Sequence, residues 1–299
     1  MIDWEKKTIY LYLILKLATP MKLIAESGST RTEWALVEDN HLIQRAFTEG
    51  INPFYQTRRE ISRNVRLGLP EIFFRKKIEQ VYYYGTGCTS DEKKNVLEAS
   101  LVAQFKTPIQ VESDLLAAAR SLFKCEAGIA CILGTGSSSC FYDGEFIVKN
   151  IEAGGYILGD EGSGSVLGKI FLSDVLKGLA PKNVMTDFFE KFRISPSEVM
   201  ESVYNRPFPN RFLSTISYFL ADYTDDDYVY GLITSNLRSF FTRNVCQYDY
   251  KNYPIRFVGS LAYGYANILR QVAGEFGIEL TIIEETPMPG LIEFHSLKY

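Results

Sequence analysis

Two segments of the sequence repeat the same order of elements, and this internal repeat is the feature that most restricts the fold. The first segment, 23–50, passes from the apolar run LIAE through the turn GST to the run EWALVE, and it closes on a glycine. The second, 130–155, passes from ACIL through GTGSSS to CFY, and it closes on two glycines. Each segment predicts three consecutive strands with a glycine-rich turn after the first. We therefore expect two copies of one supersecondary unit.

The patterns that follow each repeat predict alternating helices and strands. After the first repeat the chain shows helix, strand, helix and strand patterns at 54–69, 78–85, 91–105 and 108–113. After the second repeat the patterns are mostly helical until the run IRFVGS, where a strand leads into a helix. Three antiparallel strands followed by such units predict a mixed sheet in each half. The expected fold is a duplicated two-domain α/β chain whose glycine turns face one interdomain cleft.

Composition restricts the class of protein and its partners. The chain has 299 residues, is 46% hydrophobic and 23% charged, and carries a net charge of −4. These values are typical of a globular chain of about two domains and do not favour nucleic-acid binding. Its five cysteines include no CxxC pair, which argues against a zinc ribbon or a disulfide framework. We expect a cytoplasmic protein, since this use of cysteine suits a reducing compartment, with no nucleic-acid or membrane partner.

The first 20 residues differ from the rest of the chain. The segment MIDWEKKTIYLYLILKLATP has a charged start and an apolar middle, as a secretory signal does. Its acidic residues offset its first lysines, however, and Lys16 interrupts an apolar stretch that is too short to span a bilayer. We interpret 1–20 as an N-terminal extension before a domain whose first strand begins at Met21.

The turn within CILGTGSSSCFYDG allows two interpretations. Gly134 and Gly136 permit backbone angles that other residues avoid, and the closely spaced amides of such a loop can bind an anion. A tight hairpin connection without a ligand explains the same residues, and the Asp143-Gly144 pair is a hairpin signal. The matching turn at 28–30 favours two phosphate loops.

Three polar residues are ambiguous from the residues alone. Asp114 lies where the strand pattern IQVES ends and a helix pattern begins, so it is either a helix cap or a catalytic carboxylate. Asn52 precedes a proline and is either a turn residue or a ligand contact. Asp160, with Glu161, either caps the next helix or contacts a ligand.

Seven motifs together resemble the BadF/BadG/BcrA/BcrD ATPase family, and within it the N-acetylglucosamine kinases, of the actin, sugar kinase and Hsp70 superfamily. The motifs are ESGSTRTEW, GTGCTSDE, SDLLAAARSL, LGTGSSSCFYDG, GGYILGDEGSGSVLG, FVGSLAY and PMPGLIEFH. They span nearly everything from Met21 to Tyr299. The resemblance implies an actin-like, ribonuclease H-like fold with an N-terminal domain at 21–117 and a C-terminal domain at 118–285. A C-terminal helix at 286–299 is a candidate completion of the first domain.

The same resemblance implies an ATP-dependent sugar kinase that phosphorylates an amino sugar, with N-acetylglucosamine at its 6-hydroxyl as the first candidate. Its cofactors would be ATP and Mg²⁺, its partners would be the sugar and ATP, and a homodimer is compatible with the family. The family also includes ATPases that activate a radical 2-hydroxyacyl-CoA dehydratase or benzoyl-CoA reductase through an iron–sulfur cluster. That activity needs suitably placed thiolates, whereas Cys131 and Cys140 have the pattern of small core residues. A non-catalytic sugar or nucleotide sensor is the third alternative.

The resemblance also assigns residues. Asp114 would be the general base that accepts the proton of the attacking hydroxyl. Glu26 would orient Mg²⁺ through water, where many relatives have Asp. The ATP contacts would come from Gly28, Ser29, Thr30, Thr32, Gly134, Thr135, Gly136, Ser137, Gly259 and Ser260. The sugar contacts would come from Asn52, Ser138, Gly155, Tyr156 and Asp160. Ser138 stands where relatives often have Asn, which leaves the identity of the sugar open.

Overall fold

A computed structural model describes residues 21–75, 77–88 and 90–297. The interpretation of 1–20 as an extension lies outside these described residues. The chain divides into two compact units. The first unit runs to Asp114 and takes up the chain again from Leu291, and the second unit is Leu115–Gly290.

The first unit is built on a five-stranded mixed sheet. Its strands are β1 (Met21–Ser27), β2 (Arg31–Glu38), β3 (His41–Glu49), β4 (Ile78–Gly85) and β5 (Ile109–Ser113). Their spatial order is β3-β2-β1-β4-β5, in which β1, β2 and β3 form antiparallel pairs and β4 and β5 run parallel to β1. Strand β1 is rich in buried apolar residues because it lies in the middle of the sheet.

Helices pack beside this sheet. They are α1 (Arg58–Gly68), α2 (Ile72–Arg75) and α3 (Asp91–Phe105). The bounds of α3 agree with the pattern at 91–105, whereas α1 begins four residues later than the pattern predicted. The reason is a capping box, in which the Thr57 side chain accepts from the Glu60 amide and the Glu60 side chain accepts from the Thr57 amide. Trp34 and Phe73 lie fully buried in the core of this unit.

The second unit repeats the arrangement of the first. Its strands are β6 (Gly128–Leu133), β7 (Ser137–Tyr142), β8 (Ile147–Ile151), β9 (Ile255–Val258) and β10 (Ile283–Glu284). The order β8-β7-β6-β9-β10 matches β3-β2-β1-β4-β5 strand for strand, with antiparallel and parallel pairs at equivalent places. The predicted duplication and the two mixed sheets are therefore confirmed. Strand β10 was not predicted, since a two-residue strand has no pattern of its own.

The chain between β8 and β9 is mostly helical, as predicted. The remaining helices are α4 (Asp114–Phe123), α5 (Gly155–Leu158), α6 (Gly164–Lys177), α7 (Lys182–Phe192), α8 (Pro196–Tyr204), α9 (Pro209–Leu220), α10 (Asp227–Arg243), α11 (Ser260–Gly264), α12 (Ala266–Glu275) and α13 (Met288–Ser296). A cluster of buried rings, with Phe171 5.5 Å from Phe188 and 5.9 Å from Phe219 between centroids, joins α6, α7 and α9. Among the helices of the described ranges, none has the length and apolar character needed to cross a membrane.

Candidate functional site

The candidate residues of the first unit lie where its parallel strands end. Ser27, Gly85 and Ser113 are register partners across β1, β4 and β5. Gly28 follows the first of these residues and Asp114 follows the last. Because the carboxyl ends of parallel strands meet at one edge of a sheet, the first glycine turn and Asp114 share an edge, which is where open α/β sheets bind ligands.

The first glycine turn is a tight loop between β1 and β2. The Gly28 amide donates to the Arg31 carbonyl at 3.0 Å, and the Gly50 amide donates to the Thr30 carbonyl at 3.0 Å. A Cβ on Gly50 would lie 2.6 Å from the Ser29 carbonyl oxygen. The glycine that closes the repeat is therefore required, because it lets the end of β3 lie directly against the loop.

Thr32 holds this loop from the inside. The residue is fully buried, its Oγ1 lies 2.7 Å from Ser27 Oγ, and it donates to the Glu49 carbonyl at 3.0 Å. The Ile51 amide donates in turn to Ser27 Oγ at 2.9 Å. The expectation was that Thr32 approaches a phosphate, but the structure directs its hydroxyl into the interior. We assign Thr32 to holding the loop and do not retain it as a phosphate contact.

Two carboxyl groups, those of Glu26 and Asp114, interact electrostatically at this edge. The pKa of Glu26 is raised to about 8, first by burial and then by the negative charges of Asp114 and Glu33, against an opposing effect of Arg31. A cation relieves such repulsion between carboxylates, and Mg²⁺ is commonly held by one or two carboxylates together with phosphate oxygens and waters. The pair therefore fits Mg²⁺. In the part of the chain that the structure describes, no group of three or more His, Cys, Asp or Glu side chains could hold a metal ion.

Asn52 shapes its own turn. The Phe54 amide donates to Asn52 Oδ1 at 2.9 Å, and the Asn52 amide donates to Gln56 Oε1 at 2.9 Å. Gly87 lies against the same side chain with φ +78°, and a Cβ there would be 2.7 Å from Asn52 Oδ1. The interpretation of Asn52 as a turn residue is confirmed. A contact between its amide group and a sugar stays a prediction.

The second glycine turn joins β6 to β7 and is fixed by the start of α6. The Gly164 amide donates to the Gly134 carbonyl at 2.9 Å, and the Ser165 amide donates to the Thr135 carbonyl at 3.1 Å. In a trans peptide the carbonyl and the following N–H point in opposite directions. Because these two carbonyls point toward α6, the N–H groups of Thr135 and Gly136 point to the other side of the loop. Successive amides directed the same way form an anion-binding nest.

Sequence reasoning did not find Gly164 and Ser165 as determinants of this loop. Backbone hydrogen bonds leave no trace in side-chain chemistry. The available signal was the small-residue run SGS directly before an apolar helix pattern. A Cβ on Gly164 would lie 2.6 Å from Ser214 Oγ, so a glycine is needed where α6 packs closely on α9.

Asp160 contacts the second loop from the segment before α6. The Ser137 amide donates to Asp160 Oδ1 at 3.4 Å, and a Cβ on Gly136 would lie 3.0 Å from Asp160 Oδ2. Burial is the main cause that raises the pKa of Asp160 to about 6. The Ser137 amide opposes this increase, Glu161 adds to it and Lys169 opposes it. The carboxyl group is thus held close to the loop and partly withdrawn from water.

Ser163 caps helix α6, and Asp160 does not. The Ser163 side chain accepts from the Val166 amide at 3.2 Å. Glu161 instead pairs with Arg243, with 3.1 Å between its Oε1 and the arginine Nη1. The interpretation of Asp160 and Glu161 as caps of the next helix is therefore wrong.

The remaining sugar candidates lie in the second unit. Gly155 opens the short helix α5 with φ +70°, and the Tyr156 carbonyl accepts from Lys169 Nζ at 2.6 Å. Ser138 is the second residue of β7 and pairs with Ile132 of β6. Their contact with a sugar stays a prediction.

The candidate nucleoside motif lies beside the second loop. Strands β6 and β9 are parallel neighbours, and Gly259 follows β9 as Gly134 follows β6. Gly259 has φ +124°, and a Cβ there would lie 2.3 Å from the Leu133 carbonyl oxygen. Ser260 begins α11, and its Oγ accepts from the Tyr218 hydroxyl at 3.1 Å. The structure therefore brings this motif to the same sheet edge as the loop at 134–137.

Two cysteines near the second loop are core residues, as predicted. Cys131 on β6 and Cys140 on β7 are both fully buried. Burial raises the pKa of both thiols, that of Cys140 to about 12. Groups held in this way are poorly suited to supply the thiolates that an iron–sulfur cluster needs.

Comparison with solved structures shows the family. A protein from Porphyromonas gingivalis, provisionally named an N-acetylglucosamine kinase, is 41% identical to this chain and superimposes with a TM-score of 0.90. The match covers 93% of this chain and 99% of that one. The chain belongs to the same family as the Porphyromonas gingivalis protein. No model of a protein family matches the sequence of this chain, and no curated protein matches it.

More distant structures share the fold with this chain. A provisionally named N-acetylglucosamine kinase from Chromobacterium violaceum is 16% identical with a TM-score of 0.67, and the match covers 93% of this chain and 99% of that one. The ethanolamine utilization protein EutJ from Carboxydothermus hydrogenoformans is 13% identical with a TM-score of 0.54, covering 94% and 90%. The predicted fold class, that of the actin-like ATPases and sugar kinases, is confirmed. The finer resemblance to the BadF/BadG/BcrA/BcrD group stays a prediction.

Proposed function

We propose that the protein is an ATP-dependent kinase that phosphorylates an amino sugar, with N-acetylglucosamine at its 6-hydroxyl as the first acceptor to test. The observation that carries this proposal is the 41% identity to the Porphyromonas gingivalis protein across nearly the whole of both chains. The geometry of each unit agrees with it. In each, a glycine turn follows a parallel strand at the sheet edge where such folds bind ligands.

Asp114 is proposed as the general base. A hydroxyl that attacks the γ-phosphorus must lose its proton, and a positioned carboxylate can accept it. As the new oxygen–phosphorus bond forms, the bond between the γ-phosphorus and the β,γ-bridging oxygen breaks and ADP leaves. Asp114 occupies the first position of α4 directly after β5, so two regular elements fix its backbone.

Each of the two glycine turns is proposed as a phosphate-binding loop of its own unit. In the first unit the loop at 28–30 would contact the phosphates. In the second unit the Thr135 and Gly136 amides would contact the phosphates, because the carbonyls of the same peptide groups, those of Gly134 and Thr135, face α6. Gly259 would lie at the nucleoside end, where a side chain has no room. Glu26 would orient Mg²⁺ through water, and the ion when bound would neutralise charge on the β- and γ-phosphates.

Acceptor contacts are proposed for Asn52, Ser138, Gly155, Tyr156 and Asp160. Ser138 has a shorter side chain than the asparagine that relatives often have there, and a shortened polar arm changes which group of the sugar it can reach. The acceptor panel therefore needs to include amino sugars that differ in their N-substituent, alongside simple hexoses.

A coupled assay of ADP release with MgATP across this panel tests the proposal. We expect ADP release that depends on one amino sugar and yields one sugar phosphate per ADP. An Asp114→Asn variant is the matched control, and it should lose this activity. If ATP binds but no acceptor supports turnover, the protein is a sensor. Absorption of an iron–sulfur cluster in the purified protein would favour the dehydratase-activator alternative.

A further inference from the structure

Four arginines lie along one side of helix α1, where it borders α3, and they line a groove of about 690 Å³. All four are exposed. Because an α-helix rises about 1.5 Å per residue, they extend over about 12 Å of its length. The groove therefore has the size of a small-molecule site. The polar residues that line it are Arg58, Arg59, Ser62, Arg63, Arg66 and Gln104.

Carboxylates do not neutralise these four arginines. Among the residues that the structure describes, no Asp or Glu side chain forms an ion pair with any of them. Exposed arginines elsewhere in the chain are paired in this way. Arg238 lies 2.7 Å from Glu275, and Arg243 lies 3.1 Å from Glu161. The one acidic residue of α1, Glu60, is instead bound in the capping box at the start of the helix.

The positions of these charges on α1 are unfavourable without an anion. Arg59 and Arg63 are four residues apart, and Arg63 and Arg66 are three apart, so the members of each pair are neighbours on the helix surface and repel each other. Arg58 and Arg59 are the first two residues of the helix, where the helix dipole disfavours a positive charge. A bound anion would relieve both effects.

Two contacts restrict the groove before any ligand binds. The guanidinium carbon of Arg66 lies 4.4 Å from the centre of the Phe74 ring, so this side chain is held against an aromatic face. Gln104 Nε2 donates to Ser62 Oγ at 2.6 Å, which joins α3 to the middle of the arginine face. The groove is therefore formed by two helices whose polar side chains already meet.

We propose that this groove binds a small anion with two or three linked phosphate groups. A guanidinium presents a planar fork of N–H donors that pairs with two oxygens of one phosphate group. Four such forks over about 12 Å suit the charge and the length of a short phosphate chain. None of these residues belongs to the glycine turns or to the acceptor candidates. The inference goes beyond the proposed function and does not depend on it.

Calorimetric titration of the full chain with sodium tripolyphosphate, without Mg²⁺, tests the proposal. We expect binding that weakens as the concentration of NaCl is raised, because salt screens exposed charges. Phosphate that binds at a glycine turn would remain when the arginines are replaced. The binding that the arginine variants lose is therefore the binding to the groove.

A pair of double variants separates the groove from general charge. Arg58→Gln with Arg63→Gln should weaken tripolyphosphate binding to the groove by about 10-fold or more, because two of the four forks are lost. Both side chains are exposed and glutamine is as good a helix former as arginine, so the fold should be kept. Arg238→Gln with Arg243→Gln is the matched control. It removes two charges at the same spacing from α10, where carboxylates already pair with them, and it should stay within about 3-fold of the wild type.

A third double variant tests the fork geometry. Arg58→Lys with Arg63→Lys keeps both charges and removes the planar donors. We expect it to bind tripolyphosphate about 3-fold or more weakly than the wild type, since a lysine ammonium meets a phosphate as a point charge.

Several outcomes would overturn the inference. Unchanged tripolyphosphate affinity in Arg58→Gln with Arg63→Gln would do so, and so would an equal loss in the control at Arg238 and Arg243. Wild-type affinity in the lysine variant would show a diffuse positive surface without a defined site. Tighter binding of a single-stranded oligonucleotide than of tripolyphosphate would assign the groove to nucleic acid instead. None of these measurements requires turnover, so they are distinct from a failure of the proposed kinase activity, which the ADP-release assay detects.

Discussion

Gly259 and Leu133 approach each other so closely that a Cβ on Gly259 would lie 2.3 Å from the Leu133 carbonyl oxygen. Leu133 is the last residue of β6 and Gly259 directly follows β9, so this contact joins the ends of two parallel strands. The Gly259 amide also donates to the Glu284 carbonyl at 2.9 Å, which brings in β10. The glycine thus holds together the sheet edge at which the second glycine turn begins.

Gly259→Ala should destabilise the second unit and weaken nucleotide binding. Overpacking against backbone and a φ of +124° together are expected to cost about 2–4 kcal/mol. Urea unfolding measures the loss, and MgADP titration measures the effect on the site. Gly274→Ala is the control, because no atom lies within 4 Å of a Cβ there and the residue is in helix α12. It should leave stability unchanged or raise it by about 0.5–1 kcal/mol. Equal urea midpoints for wild type and Gly259→Ala would contradict the packing described.

Asp114→Asn should lower kcat by about 10²–10⁴-fold with little change in sugar binding, as expected when a general base is removed. Steady-state rates from the coupled assay, with sugar affinity from calorimetry, provide the measurement. Glu112→Gln removes a carboxylate two positions earlier, where it pairs with Lys94 Nζ at 2.8 Å. Such an ion pair near the surface contributes little, so kcat should change less than about 3-fold. Full activity in Asp114→Asn would end its assignment as the base.

Glu26→Gln should increase the concentration of free Mg²⁺ that gives half-maximal activity by about 10-fold, because it removes the carboxylate that is proposed to orient the ion through water. A titration of Mg²⁺ at fixed ATP measures this shift. Glu26→Asp tests the length of the side chain, and it should retain the wild-type Mg²⁺ requirement more closely than Gln. An unchanged Mg²⁺ requirement in Glu26→Gln would remove Glu26 from the metal site.

The strands of both repeats could be predicted because apolar runs and glycine turns are local signals. The duplication and the mixed sheet of each half followed from them, and α3 was bounded correctly by its polar start. The start of helix α1 was predicted four residues too early, because residues 54–56 continue the pattern of the helix that follows them. The Thr57 and Glu60 capping box that sets the true start was present in the sequence as TRRE. Strand β10 exists only through its pairing with β9.

The candidate site was predictable in its residue types and less so in its contacts. Glycines that permit close approach, such as Gly50, stood out in the sequence, and the structure supplies the backbone that each one meets. The burial of Thr32 was not predictable, because a hydroxyl beside a glycine loop suits a ligand and a loop brace equally well. Likewise, the contact of the Asp160 side chain with Gly136 was not predictable, since it depends on the path of the intervening chain.

Asp160 should also make stability depend on pH. Its pKa is raised to about 6 by burial, whereas in the unfolded chain an aspartate ionises near about 3.9. Between these values the folded state binds more protons than the unfolded state. The contribution of this group to the free energy of unfolding is therefore fully present below about pH 4 and is lost as the pH rises to about 6.

Asp160→Asn removes this titration. Between pH 4 and pH 7, the free energy of unfolding of the variant should therefore rise relative to that of the wild type. A full shift of about two pKa units would correspond to about 3 kcal/mol, and partial exposure of the carboxyl group reduces the expected change to about 1–2 kcal/mol. Urea unfolding of both proteins at pH 4, 5, 6 and 7.5 measures it. A difference that stays constant across this range would mean that the Ser137 amide offsets the effect of burial, so that the pKa of Asp160 is the same in the folded and unfolded states.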